Sequence, residues 1–117
     1  MILYEVTLET RPELADQVET YMRQIHIPEI FATACFRRIS FAEASSGRFR
    51  TSYLADRQTD LDRYLQDHAP ALRSAFAARF PDGVVAARNI VMFDRTSTPN
   101  PAIAVIPEAS TAMPVKR

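Results

Sequence analysis

The chain has no tryptophan, a single cysteine (Cys35), two glycines (Gly47 and Gly83) and two histidines (His26 and His68). Two isolated glycines exclude a glycine-rich phosphate loop. One cysteine and two distant histidines give no zinc-binding spacing, and no Gly-x-Ser-x-Gly elbow is present. No metal and no cofactor is therefore expected. Cys35 cannot form an internal disulfide and sits in an apolar run, which suits a reducing compartment, so a cytoplasmic location is expected. Net charge is also lacking: 14 basic and 14 acidic residues cancel. Without a basic footprint, neither nucleic acid nor an anionic membrane is expected as a partner. No apolar run reaches the ~18 residues of a membrane span. The opening Met1-Ile2-Leu3-Tyr4-Glu5 carries no positive charge before its first carboxylate and is not read as a secretory signal.

What is present is the balance of a chain that folds. Hydrophobic residues make up 47% and charged residues 24% of 117 residues, enough for one core and one domain. Residues 2–9 alternate strictly, with Ile2, Tyr4, Val6 and Leu8 on one face and Leu3, Glu5, Thr7 and Glu9 on the other, which predicts a strand. Thr10-Arg11-Pro12-Glu13 then supplies a capping hydroxyl, a proline at the first helical position and a carboxylate that can reach back. The apolar stripe Leu14, Val18, Tyr21, Met22 and Ile25 predicts a helix lying on that strand. His26-Ile27-Pro28-Glu29 is expected to interrupt it with a turn. Residues 32–43 and 48–56 read as strands joined by the Ala44-Ser45-Ser46-Gly47 turn. A second helix is expected from Thr59-Asp60, carrying Leu61, Tyr64, Leu65, Leu72, Phe76 and Phe80 and kinked or split at Pro70. Pro81-Asp82-Gly83 ends it, and 84–94 reads as a last strand that is apolar on both faces. Residues 95–117, rich in proline and small residues, read as an extended or disordered tail, with Ala102–Ile106 able to add to a sheet edge.

The order βαββαβ, closed by right-handed crossovers, predicts an α+β ferredoxin-like fold over 1–94: a four-stranded antiparallel sheet with two helices on one face. The other face has no cover of its own. A last strand that is apolar on both sides implies that a second copy covers that face, making a homodimer and a dimeric α/β barrel. Leu3, Glu5 and Thr7 would then point into the barrel, with Glu5 paired to an arginine among Arg37, Arg38, Arg48 and Arg50.

MILYEVTLE at the start, HIPE at 26–29, the strand pair around Phe36 and Tyr53, DRYLQDHAPALR at 62–73 and RFPDGV at 79–84 resemble an uncharacterised bacterial domain-of-unknown-function family. By fold that family is similar to the dimeric α/β-barrel superfamily. The superfamily includes cofactor-free monooxygenases, muconolactone-type isomerases, haem-degrading enzymes and stress-response proteins. The resemblance implies a ligand cleft between sheet and helices; it carries a fold and not a reaction.

His26 and Glu29, three apart around a proline, are candidates for a base and its orienting carboxylate. The competing reading is a histidine that ends a helix beside an unrelated glutamate. His68 near Pro70 is a further acid–base candidate. As a haem ligand it lacks the aromatic motif of haem-binding relatives, so a partly exposed structural histidine is the plainer reading. Tyr4, Tyr53 and Tyr64 are candidates to present phenols into the cleft, against a plain core role. Arg38 and Arg50, with Arg88, are candidates to hold a carboxylate or phosphate, against pairing with Glu5, Glu9 or Glu43. Cys35 has no lysine or histidine nearby in sequence to activate it and reads as buried filler.

Three functions are consistent with these residues. The first is a homodimer that binds a small apolar or anionic ligand in the cleft. The second is a cofactor-independent monooxygenase- or isomerase-like enzyme using His26, Tyr53 or His68. The third is a protein-interaction module acting through the tail.

Overall fold

The computed structural model describes residues 1–92 and the short strand Thr111–Ala112. The first strand, β1 (Ile2–Thr10), lies at the centre of the sheet. It pairs antiparallel with β3 (Arg48–Ala55) on one side and with β4 (Val84–Met92) on the other. β2 (Arg38–Ser45) pairs with the outer edge of β3, giving the order β4-β1-β3-β2. Two helical crossovers, 12–31 and 58–79, cover one face, which is the ferredoxin-like arrangement that the element order predicts. Thr111–Ala112 adds a fifth strand, β5, on β2 opposite Ser40 and Phe41. Apart from this strand, the tail 95–117 and the edge segment Ala102–Ile106 lie outside the described residues, as do Phe93 and Asp94 at the expected end of β4.

Alternation along the strands decides what is covered. Ile2, Tyr4 and Leu8 of β1, Ile39 and Phe41 of β2, and Phe49, Tyr53 and Ala55 of β3 share one core with Val18, Met22, Ile27, Ile30, Leu61 and Tyr64 of the crossovers. The residues between them form the opposite face, where Glu5 stands beside Ser52 and Thr7 beside Arg50. Here the Ser52 hydroxyl donates to Glu5 Oε2 at 3.2 Å. The expected Glu5–arginine pair is not formed among the described residues: Arg48 pairs with Glu9 at 2.8 Å and Arg37 with Asp56 at 3.0 Å. The last strand is at the sheet edge and is open on both sides in the single chain, with Val85, Ile90 and Met92 exposed.

The helix entries differ from expectation in detail. Pro12 does occupy the first turn, but Arg11 is the cap residue and no side chain caps it. Thr10 Oγ1 instead donates to the Arg11 carbonyl, and Glu13 pairs with Arg11 Nε at 2.9 Å. The second crossover starts at Gln58 after Arg57, again without a side-chain cap.

Neither proline breaks its helix. Each crossover widens into one π turn just before its proline, Met22–His26 in the first and Tyr64–His68 in the second, and then continues as α-helix. The Ile27 amide bonds the Met22 carbonyl and the Ala69 amide bonds the Tyr64 carbonyl, each five residues back. A proline has no N–H for an ordinary helical bond, and its ring collides with the carbonyl four residues earlier. A wider turn relieves both problems without ending the helix. The local sequences match: Gln24-Ile25-His26-Ile27-Pro28 and Gln66-Asp67-His68-Ala69-Pro70 share Gln-x-His-x-Pro.

The strand expected from residue 32 begins only at Arg38, because the chain first turns through Ala34 at φ 62°. Arg63 of the second crossover donates to the Thr33 and Ala34 carbonyls at 3.2 and 3.3 Å, tying the two crossovers together there. At the other end of the sheet, Gly83 at φ +86° accepts from the Arg11 amide at 2.9 Å. A Cβ on Gly83 would lie 2.6 Å from Leu14 Cδ1. Opposite substitutions at these two left-handed positions should have opposite effects. Gly83→Ala is expected to lower stability by roughly 1–3 kcal/mol and Ala34→Gly to raise it by about 1 kcal/mol, read as urea midpoints.

Candidate functional site

A cavity of about 80 Å³ lies between the sheet and the crossovers. The strands supply its floor: Tyr4, Val6 and Leu8 from β1, Tyr53 from β3, and Ala86 and Arg88 from β4. The helices supply its roof: Met22 and His26 from the first π turn, Tyr64 from the second, and Arg73 and Phe76 beyond it. Both widened turns therefore face the same space. Two broader hollows are shallower. One, about 300 Å³, lies between the outer surfaces of the crossovers near Tyr21 and Arg79. The other, about 400 Å³, lies on the opposite face of the sheet beside Glu5, Thr7 and Arg50. The inner cavity is the one that gathers aromatic walls and titratable groups.

Its aromatic groups form two sets. Tyr4, Tyr53 and Tyr64 lie with ring centroids 5.6, 6.3 and 6.5 Å apart, and Phe36 packs 5.0 Å from Tyr64 and 5.2 Å from Tyr53. His26 stacks on Tyr21 at 5.9 Å and meets the edge of Phe76 at 5.4 Å. Such contacts fix the rings as rigid walls.

Burial sets the protonation of this site. It pushes the Tyr64 hydroxyl up to about 12 and raises Tyr53 further, so both remain donors at neutral pH. Burial, with the nearby Arg88 guanidinium, drives His26 down to about 4. His26 is thus an uncharged imidazole at neutral pH, and its buried Nδ1 has no hydrogen-bond partner among the described residues. Arg73 Nη2 donates to the Tyr4 hydroxyl at 3.1 Å. Among the described residues, no carboxylate lines the cavity.

The structure places the sequence candidates unevenly. Tyr4, Tyr53, Tyr64 and His26 line the cavity. Glu29 is exposed, and no hydrogen bond joins it to His26, so the base-and-orienter pair is not assembled. His68 ends the second π turn, half-buried, and does not reach the cavity. Arg38 and Arg50 lie on the far face of the sheet, because Arg38 stands opposite Leu54 and Arg50 opposite Thr7. They cannot serve the cleft. Arg88 can: its register partner is Val6, on the helix-covered face. Sequence reading missed Arg73 as a lining residue. The signal was the helical spacing that puts Arg73 and Phe76 one turn apart in the second crossover. Among the described residues, no cluster of histidine, cysteine or carboxylate could hold a metal, and no helix is long and apolar enough to cross a membrane.

The His26 environment makes a testable demand on stability. A histidine depressed on folding contributes fully above its unfolded value of 6.5. That contribution is lost as pH falls towards about 4, because the unfolded chain then binds the proton first. The stability of wild type relative to His26→Gln is expected to fall by on the order of 3 kcal/mol between pH 7 and pH 4 in urea denaturation. A flat difference would mean that the imidazole is solvated.

Solved structures share this fold at low identity. One, from Deinococcus radiodurans and described as a candidate antibiotic biosynthesis monooxygenase, superposes with a TM-score of 0.62 at 17% identity over 86% of this chain and 99% of its own. A Mycobacterium tuberculosis protein superposes with 0.55 at 15% identity over 83% and 100%. A further antibiotic biosynthesis monooxygenase gives 0.52 at 13% identity over 83% and 100%. At these identities the likeness shows the fold alone. No curated protein matches the sequence. Residues 1–92 match the profile of the domain of unknown function DUF4286, and the chain belongs to that family.

Proposed function

We propose that this protein is a homodimer that binds a small apolar or anionic ligand in the cleft between sheet and crossovers. The cavity walled by three tyrosines and His26 carries the reading. Ligand sites are concave, mostly apolar and fitted with a few polar groups, and this cavity has all three properties. Its volume of about 80 Å³ is well below the ~300–1,000 Å³ of sites that enclose drug-sized ligands, so it suits a small molecule or one end of a larger one.

The dimer is supported by β4. Val85 is 69% exposed and Met92 65% exposed on an edge strand that carries apolar residues on both faces. A second copy packed on the open face of the sheet covers the Val85 side and gives Glu5, Arg50 and Asn89 partners for their polar atoms.

A second reading, a cofactor-independent monooxygenase- or isomerase-like enzyme, is favoured by the unprotonated His26 in the cleft. A base held near 4 is weak, however, and general-base catalysis is most effective when the pKa lies near the working pH. Burial raises Tyr53 and Tyr64 away from the working range in the other direction. As it stands, the cleft offers fixed donors and an acceptor, and this ranks binding ahead of proton transfer. The interaction-module reading depends on a tail that, save for Thr111–Ala112, lies outside the described residues.

Two experiments test the proposal. Native mass spectrometry of the purified chain is expected to show a bound small molecule that is lost from Ala86→Phe, whose ring would fill the cleft from the edge strand; retention in the variant would refute the cleft assignment. Sedimentation is expected to give twice the chain mass of 13.2 kDa, with Val85→Glu shifting the protein towards the single-chain value. A wild-type particle of one chain mass would remove the dimer.

A further inference from the structure

Two guanidiniums reach the cleft and, among the described residues, neither meets a carboxylate. Arg88 comes from the edge strand and Arg73 from the second crossover, so they approach the cavity from its floor and its roof. Arg73 is held by a neutral partner, the Tyr4 hydroxyl at 3.1 Å, which orients the guanidinium, and no carboxylate among the described residues pairs with it. Arg88 forms no ion pair with any described residue. By contrast, Arg11, Arg37, Arg48 and Arg57 all pair with carboxylates at the surface. Both cleft arginines act on the Tyr64 hydroxyl and counter its upward shift, which places their charges around one point of the cavity.

The rest of the cleft is uncharged. Val6, Leu8, Met22 and Phe76 give apolar wall, and the tyrosine rings give flat faces. Arginine matches a carboxylate through two-pronged, charge-assisted hydrogen bonds, and such bonds gain strength where water is partly excluded. Resting on the reading of this cavity as the ligand site, we propose that the cleft selects a small planar monocarboxylate, its two oxygens shared between Arg73 and Arg88 and its ring lying among Tyr53, Tyr64 and Phe76. The ring fills the apolar space, and the phenols remain donors to any oxygen on it. A phosphate ester would bring three oxygens and a second charge to the same two guanidiniums, and is the alternative anion that the test separates.

Benzoate and benzamide have the same shape and differ in charge, so they separate this proposal from binding of a neutral ring. In the isotope-labelled full chain at pH 7, benzoate is expected to shift the amide resonances of Met22, Tyr64 and Ala86 and to bind about tenfold more tightly than benzamide. Arg88→Gln and Arg73→Gln, both substitutions at exposed positions, should each weaken benzoate binding more than benzamide binding and so reduce that preference. Equal binding of the two compounds, or a preference unaltered in both variants, overturns the carboxylate and leaves a cleft for neutral ligands. Tighter binding of phenyl phosphate through the same two arginines overturns it in favour of a phosphoryl group. If benzoate produces no shift at the cleft, the proposal fails, while the copurified ligand and its loss from Ala86→Phe decide the cleft reading separately.

Discussion

A proline that cannot donate to its helix, placed two residues after a histidine, is the constraint from which the cleft follows. Pro28 and Pro70 each force the preceding turn to open to five residues, and the helix survives because the wider ring of backbone atoms makes room for the pyrrolidine. An added residue rotates everything after it by about 100° about the helix axis. The two widened turns place Met22, His26 and Tyr64 over the sheet as one group. The repeated Gln-x-His-x-Pro makes the two crossovers versions of one device, yet only His26 reaches the cavity. His68 has Ala69 and Asp67 beside it where His26 has Ile27 and Ile25, and it ends half-buried away from the cleft.

The aromatic walls and the buried imidazole have a common electrostatic consequence. Removal from water makes His26, Tyr53 and Tyr64 hold their neutral forms across the physiological range. Among the described residues, the permanent charges at the cleft are then the two guanidiniums, one contributed by the edge strand β4, which pairs with β1. A ligand held by Arg88 would consequently depend on an edge strand, and the packing of β4 bears on both the cleft and the opposite face.

The strands were legible because period-two alternation is a direct record of facing: Ile2, Tyr4 and Leu8 are buried together as their spacing requires. The same parity also held information that was not used. In β3, Arg48, Arg50 and Ser52 alternate with Phe49, Thr51 and Tyr53, so Arg50 and Tyr53 cannot serve one cavity. Alternation separates the two faces but does not say which one the helices cover, and that ambiguity is what assigned Arg38 and Arg50 to the cleft. The helix stripes gave the crossovers their positions, whereas proline reads in sequence as a stop. Only the tertiary demand that Ile27, Ile30 and Ala69 be buried carries the helices past it. Arg73 was hidden for another reason: its role depends on Tyr4, 69 residues earlier, a contact that no local pattern encodes.

Cys35 lies just before Phe36, at the tyrosine end of the cavity, and is 3% exposed. Its sulfur donates to the Thr33 carbonyl at 3.7 Å, in the segment that Arg63 ties to the second crossover. As the sole thiol of the chain, it can be alkylated only when this corner opens. The rate at which a thiol reagent modifies the native protein therefore measures how often the two crossovers part company, and a ligand seated among the tyrosines should slow that chemistry without touching the sulfur.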